Sequence, residues 1–351
     1  MPSIREAFAA TPSEGNRVLA IDFDSVNDDV PDTHTWLITN PGVYNITDER
    51  IIASTTIPVI DLNNPNVVKD LDYACENWYA YQVINHGVPR DVIKNLELHC
   101  NRLFTLEMKK KLRAARAANG ITGYGSAHIS WFECFGMIGS PAEYCKKIWP
   151  DQEDQCSEFC DAMEEYQKEM HKLCAKLMKM VINSLGIQSD DTDGFIGNLM
   201  KNTSPQNLLQ LNSYPVFPEP SSKAMGLDAH ADSSFFTVLH QTRPGLQIYK
   251  DGLGWVEVPH IENALVIFMG DLTTILSNGR YQSSIHRAVV SQIYHRYSVP
   301  FFYGPPGDVE ISPILESTGK SPMYRSVTWH EFHLIKAKYF DKALESIRIV
   351  S

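Results

Sequence analysis

From Asn207 onward the chain breaks into short runs rich in β-branched and aromatic residues, and this change of texture constrains the fold more than any other feature. The runs are 208–214, 235–240, 246–249, 255–258, 264–269, 284–291 and 297–303. Turn-forming pairs such as Pro244-Gly245, Asp251-Gly252 and Asn278-Gly279 separate them. Many short strands at regular spacing predict a sandwich or jelly roll. Upstream the period is different. Met163, Tyr166, Met170, Leu173, Leu177 and Met180 recur three and four apart, which predicts a long helix over 151–186, ended by Gly186. The pattern stops after about three heptads, so it reads as a scaffold helix laid across a sheet and not as a coiled coil.

The remaining pieces are shorter. A strand at 57–62, a helix at 66–78, a strand at 81–85 and a helix opened by Pro89 and running to about residue 106 alternate in the first third. Residues 327–347 read as one closing helix, with Phe332, Ile335, Tyr339, Ala343 and Ile347 on one side. The expected class is α+β. An extended arm occupies residues 1–55, a mixed helical region 56–200, a jelly-roll core 201–310 and a C-terminal helix 311–351.

Charge narrows the partners. Thirty-one basic residues against 42 acidic ones leave a net charge of −11. That argues against nucleic acid and against an anionic membrane surface, both of which call for a basic footprint. The apolar stretch at 264–269 is too short to span a bilayer, and the start of the chain lacks the apolar segment of a signal peptide. Seven cysteines lie between Cys75 and Cys174 with no CxxC pair, as expected of reduced thiols in the cytosol. Cys156 and Cys160, four apart on the predicted long helix, offer half of a metal site, with no matching second pair after them. No obligate protein partner is evident.

The chemistry gathers in the β-rich half. His230-Ala231-Asp232 is followed 54 residues after Asp232 by His286. A side-chain period of two puts His230 and Asp232 on one face of a strand or its end. Two His and one carboxylate can hold one face of an octahedral ion, leaving three adjacent positions for a two-pronged 2-oxo acid and dioxygen, the pattern of non-haem Fe(II) oxygenases. Alone the motif is weak, because roughly 0.75 His-x-Asp pairs are expected by chance in a chain of this composition. His260-Ile-Glu262 is a decoy of the same kind, and His330-Glu-Phe-His333 falls one residue short of the zinc-protease spacing. Arg296-Tyr-Ser298 strengthens the reading. Its Arg and hydroxyl, two apart on a strand, can clamp the far carboxylate of a dicarboxylic 2-oxo acid. Asn212 and Tyr214, also two apart, can add polar contacts.

These motifs resemble those of the plant 2-oxoglutarate/Fe(II) dioxygenases, over about residues 56 to 347. Ile57-Pro-Val-Ile-Asp-Leu62 and Gln82-Val-Ile-Asn-His-Gly-Val88 carry the N-terminal part. Asn212-Ser-Tyr-Pro215, His230-Ala-Asp232, Gly270-Asp-Leu272, Ser277-Asn-Gly279, His286-Arg287 and Arg296-Tyr-Ser298 carry the catalytic part. The resemblance implies a double-stranded β-helix core, iron(II) held by His230, Asp232 and His286, and 2-oxoglutarate held by Arg296, Ser298, Tyr214 and Asn212. Within the family, Pro31-Asp-Thr-His-Thr-Trp36, Gly254-Trp-Val-Glu-Val-Pro259 and Ser321-Pro-Met-Tyr-Arg-Ser-Val-Thr-Trp329 look like the gibberellin 3-oxidase branch.

Several positions depart from that branch. Ala231 stands where Thr is usual, Phe217 where Cys is usual, and Tyr79 and Tyr81 where Gly and Phe are usual. His128 stands in place of Arg, in a segment that is several residues short and runs on to Trp131 and Phe132. That segment helps roof the substrate pocket in the family, so His128, Trp131, Phe132, Phe135 and Phe302 are the candidate substrate residues. The implied activity is oxidation of a small organic molecule with iron(II), 2-oxoglutarate and dioxygen, with ascorbate as an in vitro reductant. Hydroxylation of a gibberellin stands beside oxidation of another terpenoid, alkaloid or phenolic substrate, with desaturation or ring closure as further outcomes. A non-catalytic binding protein of the same fold is the rival of another class.

Overall fold

In the computed structural model the chain is described at Phe23 and over residues 56–117, 120–126, 130–187, 189–200, 207–218, 225–315, 319 and 321–349. The expected arm over residues 1–55 and the candidate His128 thus lie outside the described residues, Phe23 excepted.

The N-terminal region alternates as its patterning predicts: β1 (Val59–Asp61), α1 (Val67–Asn77), β2 (Ala80–Ile84) and α2 (Arg90–Phe104). Pro89 is the residue that caps α2, its fixed φ suiting the start of a helix. The segment after α2 holds a hairpin that the sequence did not announce, β3 (Gly123–Ser126) and β4 (Glu133–Ile138). A short helix α3 (Ala142–Ile148) leads into α4 (Glu153–Ser184), the 32-residue scaffold helix. Gly186 follows it with φ +91°, a left-handed value that glycine adopts without a Cβ clash.

The β-rich half supplies β5 (Leu208–Tyr214), β6 (Met225–His230), β7 (Phe236–Gln241), β8 (Leu246–Lys250), β9 (Gly254–Val258), β10 (Leu265–Met269), β11 (His286–Val289) and β12 (Arg296–Tyr303). The strand β6 is not among the expected runs, because Gly226 and Asp228 interrupt its apolar pattern, and only the His230–Asp232 spacing points to a strand or its end there. A six-residue helix α5 (Asp271–Leu276), buried on every side, follows β10 and is too short to show a period. The closing helix is shorter than expected. It runs as α6 (Trp329–Tyr339), and Phe340 at φ +51° breaks it before a last turn at Ala343–Ser346.

The strands form an eight-stranded sheet, ordered β1-β2-β10-β7-β12-β5-β4-β3, and a four-stranded sheet, ordered β6-β11-β8-β9. Their inner faces meet. Leu239, Val266 and Phe268 of the large sheet pack on Ile248, Val256 and Val258 of the small one, and Phe132, Cys134 and Tyr214 pack on Ala288. Two facing sheets with helices on the outside of the larger are the expected double-stranded β-helix. The central β10 is buried along its whole length and accordingly reads as an unbroken apolar run.

On its outer face the large sheet carries α4. Met163, Tyr166, Met170, Leu173 and Leu177 are buried there, and His171 meets Phe301 edge-on at 5.0 Å. Deleting one such ring, as in Phe301→Ala, would remove about 3–5 kcal/mol. The strands β1 to β4 of the N-terminal region lie in the same sheet as the strands that carry Arg296 and Asn212. No helix among the described residues is long and apolar enough to cross a membrane.

Candidate active site

The two sheets bring the sequence motif together at one end of the small sheet. His230 ends β6, His286 begins β11, and the two residues are direct cross-strand partners. Asp232 lies just past the end of β6, so the His-x-Asp spacing works at a strand end, where the chain is leaving the sheet. His230 Nε2 is 3.6 Å from Asp232 Oδ1, and His286 Nε2 is 3.9 Å from Asp232 Oδ2. One donor atom from each residue lies within 4.8 Å of the other two. Ligand atoms about 2.1 Å from a first-row divalent ion and at right angles stand about 3 Å apart, so these donors fit such an ion after inward shifts of under about 1 Å.

Each ligand is aimed by a neighbour. His230 Nδ1 lies 2.7 Å from the Asp228 carbonyl and His286 Nδ1 lies 3.1 Å from the Ser284 carbonyl. A carbonyl only accepts, so each Nδ1 carries the proton and each Nε2 lone pair points at the centre. Burial, and then the proximity of His230, lower the pKa of His286 to about 4, which keeps its imidazole neutral and ready to ligate. Phe268 stacks on its ring at 4.3 Å. Thr237 Oγ1 donates to Asp232 Oδ2 at 2.5 Å, leaving Oδ1 for a metal. The side chain of His230 is 34% exposed while those of Asp232 and His286 are buried, so the site opens on the His230 side.

The second cluster lies on the inner face where β12 meets β5. The register pairs Arg296 with Tyr214 and Ser298 with Asn212, so all four predicted cosubstrate residues share one face. Asn212 Nδ2 donates to Ser298 Oγ at 3.4 Å, and Gln210 Nε2 donates to Asn212 Oδ1 at 2.8 Å. Arg296 is 2% exposed. Its Nε donates to the Arg243 carbonyl at 3.2 Å and its Nη2 to Gln241 Oε1 at 3.1 Å, while Nη1 is buried without a hydrogen-bond partner among the described residues. A buried cation held only by neutral groups is costly, and burial duly lowers its pKa. An exogenous carboxylate would relieve it, so this donor set fits 2-oxoglutarate. Gly245, at φ +129°, lets the chain pass beside the Arg296 side chain, where a Cβ would come within 3.1 Å of Cδ.

The candidate substrate residues separate. Phe132 stacks on Tyr214 at 5.6 Å and 19°, on the inner face beside the cosubstrate cluster. Phe302 lies on β12 at the same parity as Arg296 and Ser298, paired with Thr237. Trp131 is fixed in a small cluster of its own. Its ring meets Phe217 at 5.0 Å and Phe23 at 4.9 Å, both edge-on, and its Nε1 donates to the Pro215 carbonyl at 3.1 Å. Two of the departures from the gibberellin 3-oxidase pattern, Phe217 and the shortened segment, are therefore in contact. Phe135 is not with the others. It points to the outer face, against Phe159 of α4 and Tyr144 of α3, because β4 places it at the opposite parity from Phe132 and Cys134. His260 and Glu262 sit in the β9–β10 connection, and His333 stacks on Trp329; neither decoy joins a metal cluster among the described residues.

Thr237, Gln241, Phe268 and the Ser284 carbonyl were not anticipated as parts of the site. Thr237 and Gln241 share the parity of β7 that faces Phe302 and Ser298, a signal available only once the β7–β12 register is known.

Comparison with known proteins agrees with this geometry. Residues 205–305 match the 2OG-Fe(II) oxygenase superfamily, and residues 57–172 match the N-terminal domain described for a non-haem dioxygenase in morphine synthesis. Gibberellin 3-beta-dioxygenase 1 of Pisum sativum is 40% identical over 362 residues, covering 99% of this chain and 94% of that one. Gibberellin 3-beta-dioxygenase 1 of Arabidopsis thaliana is 41% identical over 337 residues, covering 93% and 92%. Among solved structures, JOX2 in complex with 2OG, Fe and JA superposes with a TM-score of 0.77 at 25% identity, covering 93% of this chain and 96% of that one. With identity at this level over nearly the whole of both chains, the protein belongs to the 2-oxoglutarate- and iron(II)-dependent dioxygenases and is similar to the gibberellin 3-oxidases.

Proposed function

We propose that the protein hydroxylates a gibberellin, with His230, Asp232 and His286 as the iron(II) ligands and Arg296, Ser298, Asn212 and Tyr214 as the 2-oxoglutarate site. The single observation that carries the reading is Arg296. A fully buried guanidinium with a free Nη1, in the same barrel as the His-Asp-His cluster, calls for an anion. The substrate class rests on the relatives of about 40% identity.

Iron(II), 2-oxoglutarate and dioxygen, when bound, supply oxidative decarboxylation of the 2-oxo acid to succinate and carbon dioxide, coupled to removal of hydrogen from a C–H bond of the organic substrate. The chain positions and shields. His230 and His286 offer Nε2 lone pairs whose direction is set by the Asp228 and Ser284 carbonyls, and Thr237 holds Asp232 in one orientation. Arg296 orients the far carboxylate through its planar fork, with the Ser298 hydroxyl beside it. Phe132, stacked on Tyr214, closes one wall and excludes water. Phe302 lines the face towards the organic substrate, and Trp131, with Phe217, is assigned to the roof above it.

A second reading, a related terpenoid, alkaloid or phenolic substrate, is favoured by one observation. Trp131 and Phe217 fill with aromatic rings a place where the gibberellin 3-oxidase pattern has a smaller residue and a longer segment. We read residues 56–200 as the structural half, 201–310 as the catalytic core and 311–351 as its C-terminal closure, acting in the cytosol without nucleic acid, membrane or obligate protein partner.

The test is succinate release by the purified protein with iron(II), ascorbate and a panel of gibberellins and other plant metabolites. Turnover driven by a gibberellin, and its loss in His230→Ala, Asp232→Ala and His286→Ala, is the expected result. Full activity in any of the three variants at saturating iron would remove that residue from the metal site. Turnover with another substrate class alone would decide for the second reading.

A further inference from the structure

The described residues hold a second cluster of metal-ligating side chains, remote in sequence from the site above and composed only of thiols. Cys145 on α3 and Cys156 and Cys160 on α4 have their Sγ atoms all within 4.8 Å of one another. Cys145 is buried and the other two are half-buried, so the cluster opens to solution on one side. Trp149, just past α3, packs on Phe159 of α4 at 5.4 Å, so an apolar contact already joins the two segments that carry the thiols.

Geometry separates metal binding from disulfide formation. Cys156 and Cys160 are one helical turn apart, and Cβ atoms at that spacing lie about 5–6 Å from each other. A disulfide needs about 3.5–4.5 Å, so these two cannot bridge without distorting α4. A disulfide from either of them to Cys145 would leave the third sulfur unused. A single ion with sulfur bonds of about 2.3 Å uses all three, and needs sulfurs about 4 Å apart, close to the observed limit. Thiolates select soft d10 ions over the oxygen-seeking ions.

We propose that Cys145, Cys156 and Cys160 form a thiolate site for one soft d10 divalent cation, zinc in ordinary conditions, which ties α3 to the first turns of α4. Each thiol passes its proton to solvent as its sulfur binds, so one divalent ion displaces three protons and nothing is oxidised. Water on the exposed side completes the shell.

The probe is cadmium, added to the reduced full-length protein while the ultraviolet absorbance of thiolate-to-metal charge transfer is followed. One equivalent per chain should give the band, and prior loading with iron(II) should leave it in place, because the His230–Asp232–His286 set contains no sulfur. Cys160→Ser and Cys156→Ala should each weaken binding by more than about a hundredfold, beyond what loss of a supporting outer contact costs. Cys156 is half-buried, so its variant keeps the core intact and circular dichroism will verify the fold. Absence of a band in reduced protein, or an unchanged band in folded Cys160→Ser or Cys156→Ala, would overturn the proposal. So would a non-reducing digest in which Cys145 is joined to Cys160 together with no cadmium band after reduction.

Discussion

The two faces of the large sheet, only one residue out of phase along each strand, are built on opposite terms. On the outer face of β4, β5 and β12 lie Phe135 and Phe301, packed against α3 and α4, and Ser213, and the polar groups of these strands are paired. Lys111 Nζ donates to Glu133 Oε2 at 2.6 Å, Tyr124 donates to the same oxygen at 2.7 Å, and Ser213 Oγ lies 2.9 Å from His295 Nε2. On the inner face lie Asn212, Tyr214, Arg296 and Ser298, and there Arg296 Nη1 and Gln241 Nε2 are buried without partners. A buried polar group left unpaired costs about 1–3 kcal/mol, more for a charge. Along β4, β5 and β12 the outer face is thus satisfied within the chain, whereas the inner face leaves a buried cation for something bound to meet.

The sharpest way to break this comparison is to cut one ring from each side. Phe135→Ala should destabilise the protein by about 3–5 kcal/mol through the cavity left against Phe159 and Tyr144. In the fraction that stays folded, 2-oxoglutarate affinity should not change. Phe132→Ala should cost less stability and weaken binding of the organic substrate by roughly tenfold, since its ring stacks on Tyr214 beside the cosubstrate cluster. Urea midpoints and substrate Kd measured on the same two preparations test both halves. A Phe135→Ala protein with intact stability and lost substrate binding would return that residue to the pocket.

Arg296→Lys comes next in size. It keeps the positive charge and loses the fork, so the apparent affinity for 2-oxoglutarate should fall by roughly ten- to a hundredfold, about 1.4–2.8 kcal/mol, while iron still binds. A change confined to the affinity for the organic substrate would assign Arg296 to the other pocket.

How much of this was legible in the sequence follows from the same alternation. The β-strands after residue 207 other than β6, the scaffold helix and the metal cluster were readable, because period two and period three to four leave clear marks when one face is buried. The hairpin β3–β4 was not. Its residues 123–126 include two glycines, and 133–138 is buried at all but its last position, so neither strand shows alternation. Without the strand, Trp131, Phe132 and Phe135 read as one aromatic group, and only the β4–β5 register separates Phe132 from Phe135. Thr237 was hidden for a related reason, since its reach to Asp232 depends on a turn that no propensity encodes. The break at Phe340 and the burial of α5 are likewise tertiary in origin.

A third test uses pH on the scaffold side. His86, in the Asn-His-Gly motif, accepts from the Val88 N–H through Nδ1 at 3.1 Å and donates through Nε2 to the Asn263 carbonyl at 2.9 Å. Protonation would remove the acceptor, and burial lowers its pKa from the ordinary 6.5. A histidine depressed in the folded state contributes fully above its unfolded pKa, and the contribution is lost as pH falls through the folded one. Stability should therefore drop below about pH 6.5 by on the order of 1 kcal/mol, the net value of one hydrogen bond. His86→Asn should lower stability at neutral pH and flatten that slope. An equal slope in the variant would place the effect elsewhere.

The smallest expected effect concerns Tyr79, one of the departures from the resembling family, where glycine is usual. Its φ is +63°, a left-handed conformation that costs a residue with a Cβ roughly 1 kcal/mol and glycine almost nothing. The position is pinned from both sides, with Tyr79 N–H donating to the Ala74 carbonyl and Met269 N–H donating to the Tyr79 carbonyl, both at 2.9 Å. The conformation therefore belongs to the fold and not to the tyrosine. What the ring contributes is a cation–π contact with Lys250, whose Nζ lies 4.5 Å from its centroid, worth about 0.5–1 kcal/mol when partly exposed. Tyr79→Gly trades that contact for relief of the strain, so its stability should stay within about 0.5 kcal/mol of the parent. Tyr79→Ala loses the contact and keeps the strain, so it should fall about 1 kcal/mol below the glycine variant, the reverse of the usual order of alanine over glycine. Alanine proving more stable than glycine in chemical denaturation would mean that the chain leaves the left-handed conformation once the ring is gone, and that Tyr79 itself imposes the turn between α1 and β2.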